Sequence, residues 1–397
     1  MSTSAYDAYR DPDTTRRGSS QSSSHLRNRD QRRRRDPAVA GAGSGRREGS
    51  VAARANDWLT GGGRGRGERA VVPEAQFSSY YGQPVVKPMP WKHEIPAYLF
   101  LGGVAASSGM IGAGAHAIGH EVLRRNARLT SMVAVGLSGG ALIMDLGRPE
   151  RFINMLRTMK LTSPMSVGTW IFSGFSAFAG LSTAAELDRM LGGSSGGKGL
   201  PVVGGLLRTA EPIGSLGSFA FGPPLAAYTA VLLSDTATPL WFESRRSLPF
   251  VFVSSASMAA SGIQMALTPT RETAPVRRLA MLGAAGDFLA VEAMEKQLKE
   301  VGVVEPLHHG TAGRMMKTAK VLTVAGGVGS LLAGRSRVVA VASGLALAAA
   351  SALTRFAVVE AGIESAKDPR YTVGPQKARL AERRQQGLVH DSITTAH

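Results

Sequence analysis

The chain contains no cysteine. That excludes cysteine-ligated iron–sulfur clusters, cysteine-type zinc sites, disulfides and thiol nucleophiles together. Aromatic residues make up only 6% of its 397 residues, and acidic side chains are outnumbered, 29 Asp and Glu against 46 Lys and Arg, for a formal net charge of +17. Mean hydropathy is near zero, which would suit a soluble protein, but here it averages two unlike parts. Residues 1–92 and 364–397 are polar and mostly basic. Between them, apolar runs of about 20 residues recur, the length a bilayer core demands. The 48 glycines exceed the usual share of a soluble domain. A soluble two-domain enzyme is excluded, and a multi-span membrane protein with disordered ends is expected.

Residues 1–89 read as a disordered basic tail. The run Ser19-Ser20-Gln21-Ser22-Ser23-Ser24, the block Arg32-Arg33-Arg34-Arg35 and the Gly61–Gly67 stretch cannot bury enough apolar surface to offset the entropy of ordering them. The arginines are followed by Asp36-Pro37 rather than a compact apolar segment, which argues against an export signal. A basic tail beside a membrane domain fits contact with anionic lipid headgroups and no specific nucleic acid. Residues 363–397 read as a second polar tail.

The membrane domain, 90–362, holds eight candidate spans: 95–116, 129–146, 167–185, 213–233, 248–267, 279–293, 315–333 and 338–359. The first has no formal charge. The sixth, with Asp287 and Glu292, and the seventh, with Lys317 and Lys320, are the least apolar. Glycines such as Gly102-Gly103 and Gly326-Gly327 suit close helix packing in lipid. Gly222-Pro223-Pro224 is expected to break or kink the fourth span. An even number of spans puts both tails on one side. The tails hold 17 and 6 Lys and Arg (1–92 and 364–397), while the short loops are similar on both sides, so the tails favour cytoplasmic termini.

Parity of the spans also gathers ionisable residues at the tail side. Trp91-Lys92-His93-Glu94 opens span one, Asp145 and Arg148 close span two, and Asp235 closes span four. Glu292 lies in the tail-side half of span six and Arg355 near that end of span eight, with Tyr98 and Tyr228 a turn or two deeper. Such a cluster in a bundle poor in charge signals a functional site. A further pairing of Arg355 with Glu292, or failing that Glu360 or Asp287, is expected because an unpaired charge at that depth is costly. Between spans two and three, Gly147 suits a left-handed helix end and Pro149 a helix start. Phe152, Met155, Leu156 and Met159 share one face, giving a short amphipathic helix in the interface. Ser163-Pro164 then starts span three.

Several stretches resemble one family. Trp91 to Gly103, Asp145 to Arg157, Ser163 to Trp170, and Tyr228 to Leu233 with the downstream Pro239-Leu240-Trp241 are similar to the polysulfide reductase membrane subunits of NrfD/PsrC type. The resemblance covers roughly 90–362, most specifically in the first half; the Arg-rich tail lies outside its pattern. It implies an all-α fold of eight transmembrane helices in two four-helix bundles, multi-pass in the plasma membrane. It further implies a quinone-reactive anchor (menaquinone or ubiquinone) without haem or metal of its own, partnered by a ferredoxin-like iron–sulfur subunit and a molybdopterin catalytic subunit. On that basis His93, Tyr98, Arg148 and Tyr228 are the expected quinone contacts and His93, Asp145 and Glu292 the catalytic groups. Asp235, Asp287 and Arg355 form the expected proton path.

Two other readings compete. A cytochrome b-type haem anchor needs axial ligands facing each other inside the bundle, but only His93, His116 and His120 touch a span, all at the ends of one helix. A proton-conducting or small-solute secondary transporter would carry matching broken helices in two halves, and only span four has such a break.

Overall fold

A computed structural model describes residues 84–147, 150–194 and 203–387. The basic tail before residue 84, and with it most of the low-complexity sequence, lies outside the described residues, as does Arg148. Among the described residues the only regular structure is helical.

Eight helices of 20 residues or more form the body: α1 (Glu94–Ala117), α2 (Glu121–Asp145), α4 (Pro164–Ser194), α5 (Val203–Ser234), α7 (Leu248–Leu267), α8 (Ala274–Glu300), α10 (Gly310–Leu332) and α11 (Arg337–Lys367). Short helices α3 (Arg151–Arg157), α6 (Pro239–Glu243), α9 (Glu305–His308) and the C-terminal α12 (Arg370–Gln385) lie between and after them. Five of the long helices, α1, α2, α5, α7 and α11, are long and apolar enough to cross a membrane. Each expected span falls inside a long helix to within one residue at its end, but most helices run one to three turns further than the apolar run. Their ends are set by local chemistry. Gly119 and Gly147, with φ of 74° and 65°, take the left-handed conformation just after α1 and α2. Prolines open α4, α6, α7 and α8 within their first turn, where no intrahelical N–H is needed.

The long helices pack as two rings of four. α1, α2, α4 and α5 close the first, and α7, α8, α10 and α11 the second. The rings meet where α1 and α5 lie against α7, and α1 against α11. Close approach needs small residues there. A Cβ on Gly103 of α1 would stand 3.0 Å from Ala256 Cβ of α7, and Gly262 and Gly344 bring the α7 and α11 backbones together.

Of the break or kink expected in the fourth span, a break does not occur: α5 continues as one helix through Pro212, Pro223 and Pro224. α1 packs closely beside this stretch, with a Cβ on Gly222 2.7 Å from Met110 Cγ and 3.2 Å from the Ala106 carbonyl oxygen; neighbouring helices make prolines tolerable inside such a span. The segment 363–397 is not simply a tail either. α11 extends to Lys367, and α12 folds back with Tyr371, Thr372 and Pro375 buried. Tyr371 donates to Glu305 (2.9 Å) and Arg379 to Glu243 (2.5 Å).

Candidate functional site

Because the long helices alternate in direction, the start of α1 and the ends of α2, α5, α8 and α11 lie at one end of the bundle, here called proximal. Tyr98 and Tyr228 come together at that end of the first ring. Both are buried. The Tyr98 ring sits 6.2 Å from that of Phe172 on α4, and the Tyr228 ring of α5 occupies the space beside Gly168, one turn before Phe172 on α4. Ser138 of α2 donates to the Tyr98 carbonyl at 3.1 Å. Asp145, half-buried at the end of α2, lies within electrostatic reach of Glu94 at the start of α1.

His93 faces elsewhere. Five residues separate it from Tyr98, which places the two about 140° apart around α1, and its ring stacks 6.2 Å from that of Phe356 on α11. It is exposed at the junction of the two rings. Beside the same junction, Trp91 stacks on Trp241 of α6 at 5.4 Å. Trp241 is fully buried and donates its indole N–H to the Val358 carbonyl at 2.9 Å. The expected residues at the proximal end thus divide between the interior of the first ring, with Tyr98 and Tyr228, and an aromatic seam between the rings, with His93.

Deeper in that seam lies Arg355, 1% exposed. Its Nη2 donates to the Phe252 carbonyl at 2.6 Å and its guanidinium carbon stands 3.7 Å from the Phe252 ring centroid; Nε and Nη1 have no protein partner. The expected pairing with Glu292 does not form. Glu292 is exposed and takes Lys320 instead, at 2.7 Å. The physical reason is helical phase: Glu292 is five residues beyond Asp287, so it turns outward when Asp287 turns inward. Asp287 is 3% exposed, accepts from Thr323 at 3.4 Å through Oδ2, and has an unpartnered Oδ1. Arg355 and Asp287 act on each other electrostatically without an ion pair. Asp235, expected on the proton path, is exposed at the end of α5.

A denser constellation occupies the opposite, distal end of the first ring, and the sequence reading passed over it. Arg128 is 3% exposed; its Nη1 reaches Glu186 at 3.0 Å and Glu211 at 2.5 Å, and its Nη2 donates to Ser215 at 2.7 Å. Arg124 grips Glu186 with two bonds, Arg189 grips Glu211, and His116 Nδ1 lies 3.6 Å from Glu211. Arg124, Arg128, Glu186, Arg189 and Glu211 fall between the expected spans because apolar windows stop at charges. The available signal was the phase of α2: Arg124, Arg128, Ser131, Val135 and Ser138 fall at i, i+4, i+7, i+11 and i+14, one inward face.

His, Asp and Glu do not gather in threes suited to a metal ion among the described residues. No curated protein matches the chain. Residues 84–277 match the family model described as polysulphide reductase, NrfD. That stretch takes in the first ring, α7 and the opening residues of α8. It therefore includes Tyr98, Tyr228, Asp145 and His93 but neither Asp287 nor Arg355. Residues 84–277 are thus similar to the NrfD polysulphide reductase family, within an all-α chain whose several long apolar helices mark a multi-pass membrane protein.

Proposed function

We propose that the chain is the quinone-reactive membrane subunit of a respiratory oxidoreductase. It would exchange electrons and protons between a partner iron–sulfur subunit and quinone in the plasma membrane, with a molybdopterin subunit oxidising or reducing the external substrate. All eight long helices cross the membrane in this reading, with the proximal end on the cytoplasmic side. The observation that carries it is the family match over the helices whose proximal ends hold His93, Tyr98, Asp145 and Tyr228.

The residues fit a quinone headgroup in kind. A flat ring is served by aromatic walls, here Phe172, Phe356 and the Trp91–Trp241 stack. Two carbonyl oxygens call for donors, which His93 and the buried Tyr98 hydroxyl supply. Quinone accepts two electrons and two protons to become quinol. His93 holds and passes a proton at its ring nitrogen, Asp145 orients it or resupplies it, and Arg148 and Tyr228 complete the headgroup contacts. Electrons arrive from the partner, since this chain has no cysteine to ligate a cluster. The buried Asp287 and Arg355, each with unpartnered polar atoms, serve the proton path.

His93→Ala in the assembled complex is expected to abolish quinone-linked turnover while subunit assembly, followed by size-exclusion chromatography, stays intact. Unchanged quinone reduction in that variant would sink the assignment. The purified chain alone should oxidise no external donor; activity without partners would refute the anchor reading.

A further inference from the structure

Beneath the distal ion network, a small cavity lies inside the first ring. Arg128, Ser131, Ser182, Thr183, Ser215 and Ser218 are among its walls, and its free room is about 10 Å³. That matches one water molecule, which needs a polar lining with several partners. The lining is more polar than the core of an apolar bundle requires. Ser182 Oγ is buried with no protein partner, and the neighbouring α1 hydroxyls Ser107 and Ser108 are buried and unpartnered as well. A buried hydroxyl left unbonded costs about 1–3 kcal/mol, so water is the group that belongs there.

The charges above the cavity are already matched. Arg128 is satisfied by Glu186, Glu211 and Ser215, which leaves no free cation to hold an anion. What remains is a set of dipoles and one titratable ring with access outward. The His116 side chain is 33% exposed, while its Nδ1 is buried, unpartnered and turned toward Glu211. Facing it are Glu211 and Arg189 at the α4–α5 side and Arg124 and Arg128 on α2. On the inner side, Ser131 donates to the Ala105 carbonyl at 2.9 Å, and one face of α2 continues to Ser138 at Tyr98.

We propose that this cavity holds ordered water and, with Arg128 in its wall and Glu211 and His116 joined to Arg128 on the outer side, forms a proton-access route from the distal face into the first ring. It rests on the quinone reading above and adds a direction to it. The two protons that join quinone with its two electrons come from the distal side, while the headgroup lies at the proximal end. Protons then cross most of the first ring on the way, so turnover separates charge across the membrane.

The test uses the purified complex in proteoliposomes containing menaquinone, driven by reduced methyl viologen, with a potential-sensitive dye. Ser182→Val fills the cavity and removes its free hydroxyl; Ala113→Val fills it while leaving every polar group in place. Both should slow quinone reduction by at least about tenfold, the scale of a lost proton-transfer step, with KM for quinone unchanged. They should also raise the solvent deuterium isotope effect and flatten the dye response, while Ser257→Val, a half-buried position on α7 whose hydroxyl donates only to the Val253 carbonyl of its own helix, behaves as wild type. Wild-type rates, isotope effect and dye response in both variants would overturn the route and leave the quinone reading standing. No quinone reduction by the wild-type complex would overturn that reading, and this inference with it. Should the variants fail to assemble, an experimental density map decides: water bonded to Ser182 Oγ supports the route, and a dry cavity overturns it.

Discussion

Arg128 holds three helix surfaces together, because its one guanidinium meets Glu186 on α4 and both Glu211 and Ser215 on α5. Removing Arg128 takes one partner each from Glu186 and Glu211, which Arg124 and Arg189 still hold, so the loss should reach at most the roughly 3–5 kcal/mol of a buried charge left unpaired. Arg128→Met is therefore expected to lower thermal stability in detergent by that order. Removing one facing carboxylate with Glu211→Gln in the same chain returns the network to its wild-type balance of charge and should recover part of the loss. A double variant no more stable than the single one would show that packing rather than charge explains the effect. At this scale the sequence was legible where a charge interrupted an apolar run, as for Asp287 and Arg355. It was misleading for Glu292, since burial depends on which way a helix face turns, and neighbours within one turn and a half can face opposite environments.

The C-terminal helix shows how an element can be held by a few polar ties. α12 docks through Tyr371, whose hydroxyl donates to Glu305 and accepts from Arg370 at 2.6 Å. The Tyr371 hydroxyl bonded to Glu305, with Arg370 beside it, holds that carboxyl below its ordinary value. Burial, reinforced by Glu305, pushes the Tyr371 phenol from 10.0 up to about 12. The signs set a window. A lowered carboxyl pKa gives docking that is complete above the ordinary carboxylate range and lost as pH falls through the lowered value. A raised phenol pKa gives docking that is complete below 10.0 and lost as pH rises toward about 12. Amide exchange of α12 is expected to be slowest between those limits and to quicken at both ends. Glu305→Gln should flatten the acid limb, and an unaltered acid limb would mean that other groups hold the helix. The polar composition of 363–397 hid this element, because only three of its side chains, Tyr371, Thr372 and Pro375, are buried on docking.

At the scale of the whole molecule, two four-helix rings share one seam, and that seam tolerates little added volume. Gly103→Val would place a branched side chain against Ala256 Cβ, 3.0 Å from the ideal Cβ position, and Arg355 Nη2 at 3.4 Å. Overpacking of this kind costs about 1–3 kcal/mol, so the variant should melt earlier in detergent and show altered quinone turnover, since the seam carries both His93 and Arg355. Gly114→Val, with open space around it, is the control; equal melting of the two would refute the seam's importance. The sequence by itself determined the helical class and the position of the long helices among the described residues, and it placed His93, Tyr98, Asp145 and Tyr228 at one end of the bundle. Those follow from local quantities: apolar run length, proline and glycine punctuation, and the alternation of direction along the chain. Only the tertiary structure decided that His93 and Tyr98 face different surroundings, that Arg355 lacks the partner expected for it, and that Arg124, Arg128, Glu186 and Glu211 form one buried network. Each of those depends on which faces of separate helices meet, and a one-residue step turns a helix face by about 100°, a phase set by packing against distant segments rather than by neighbours in sequence.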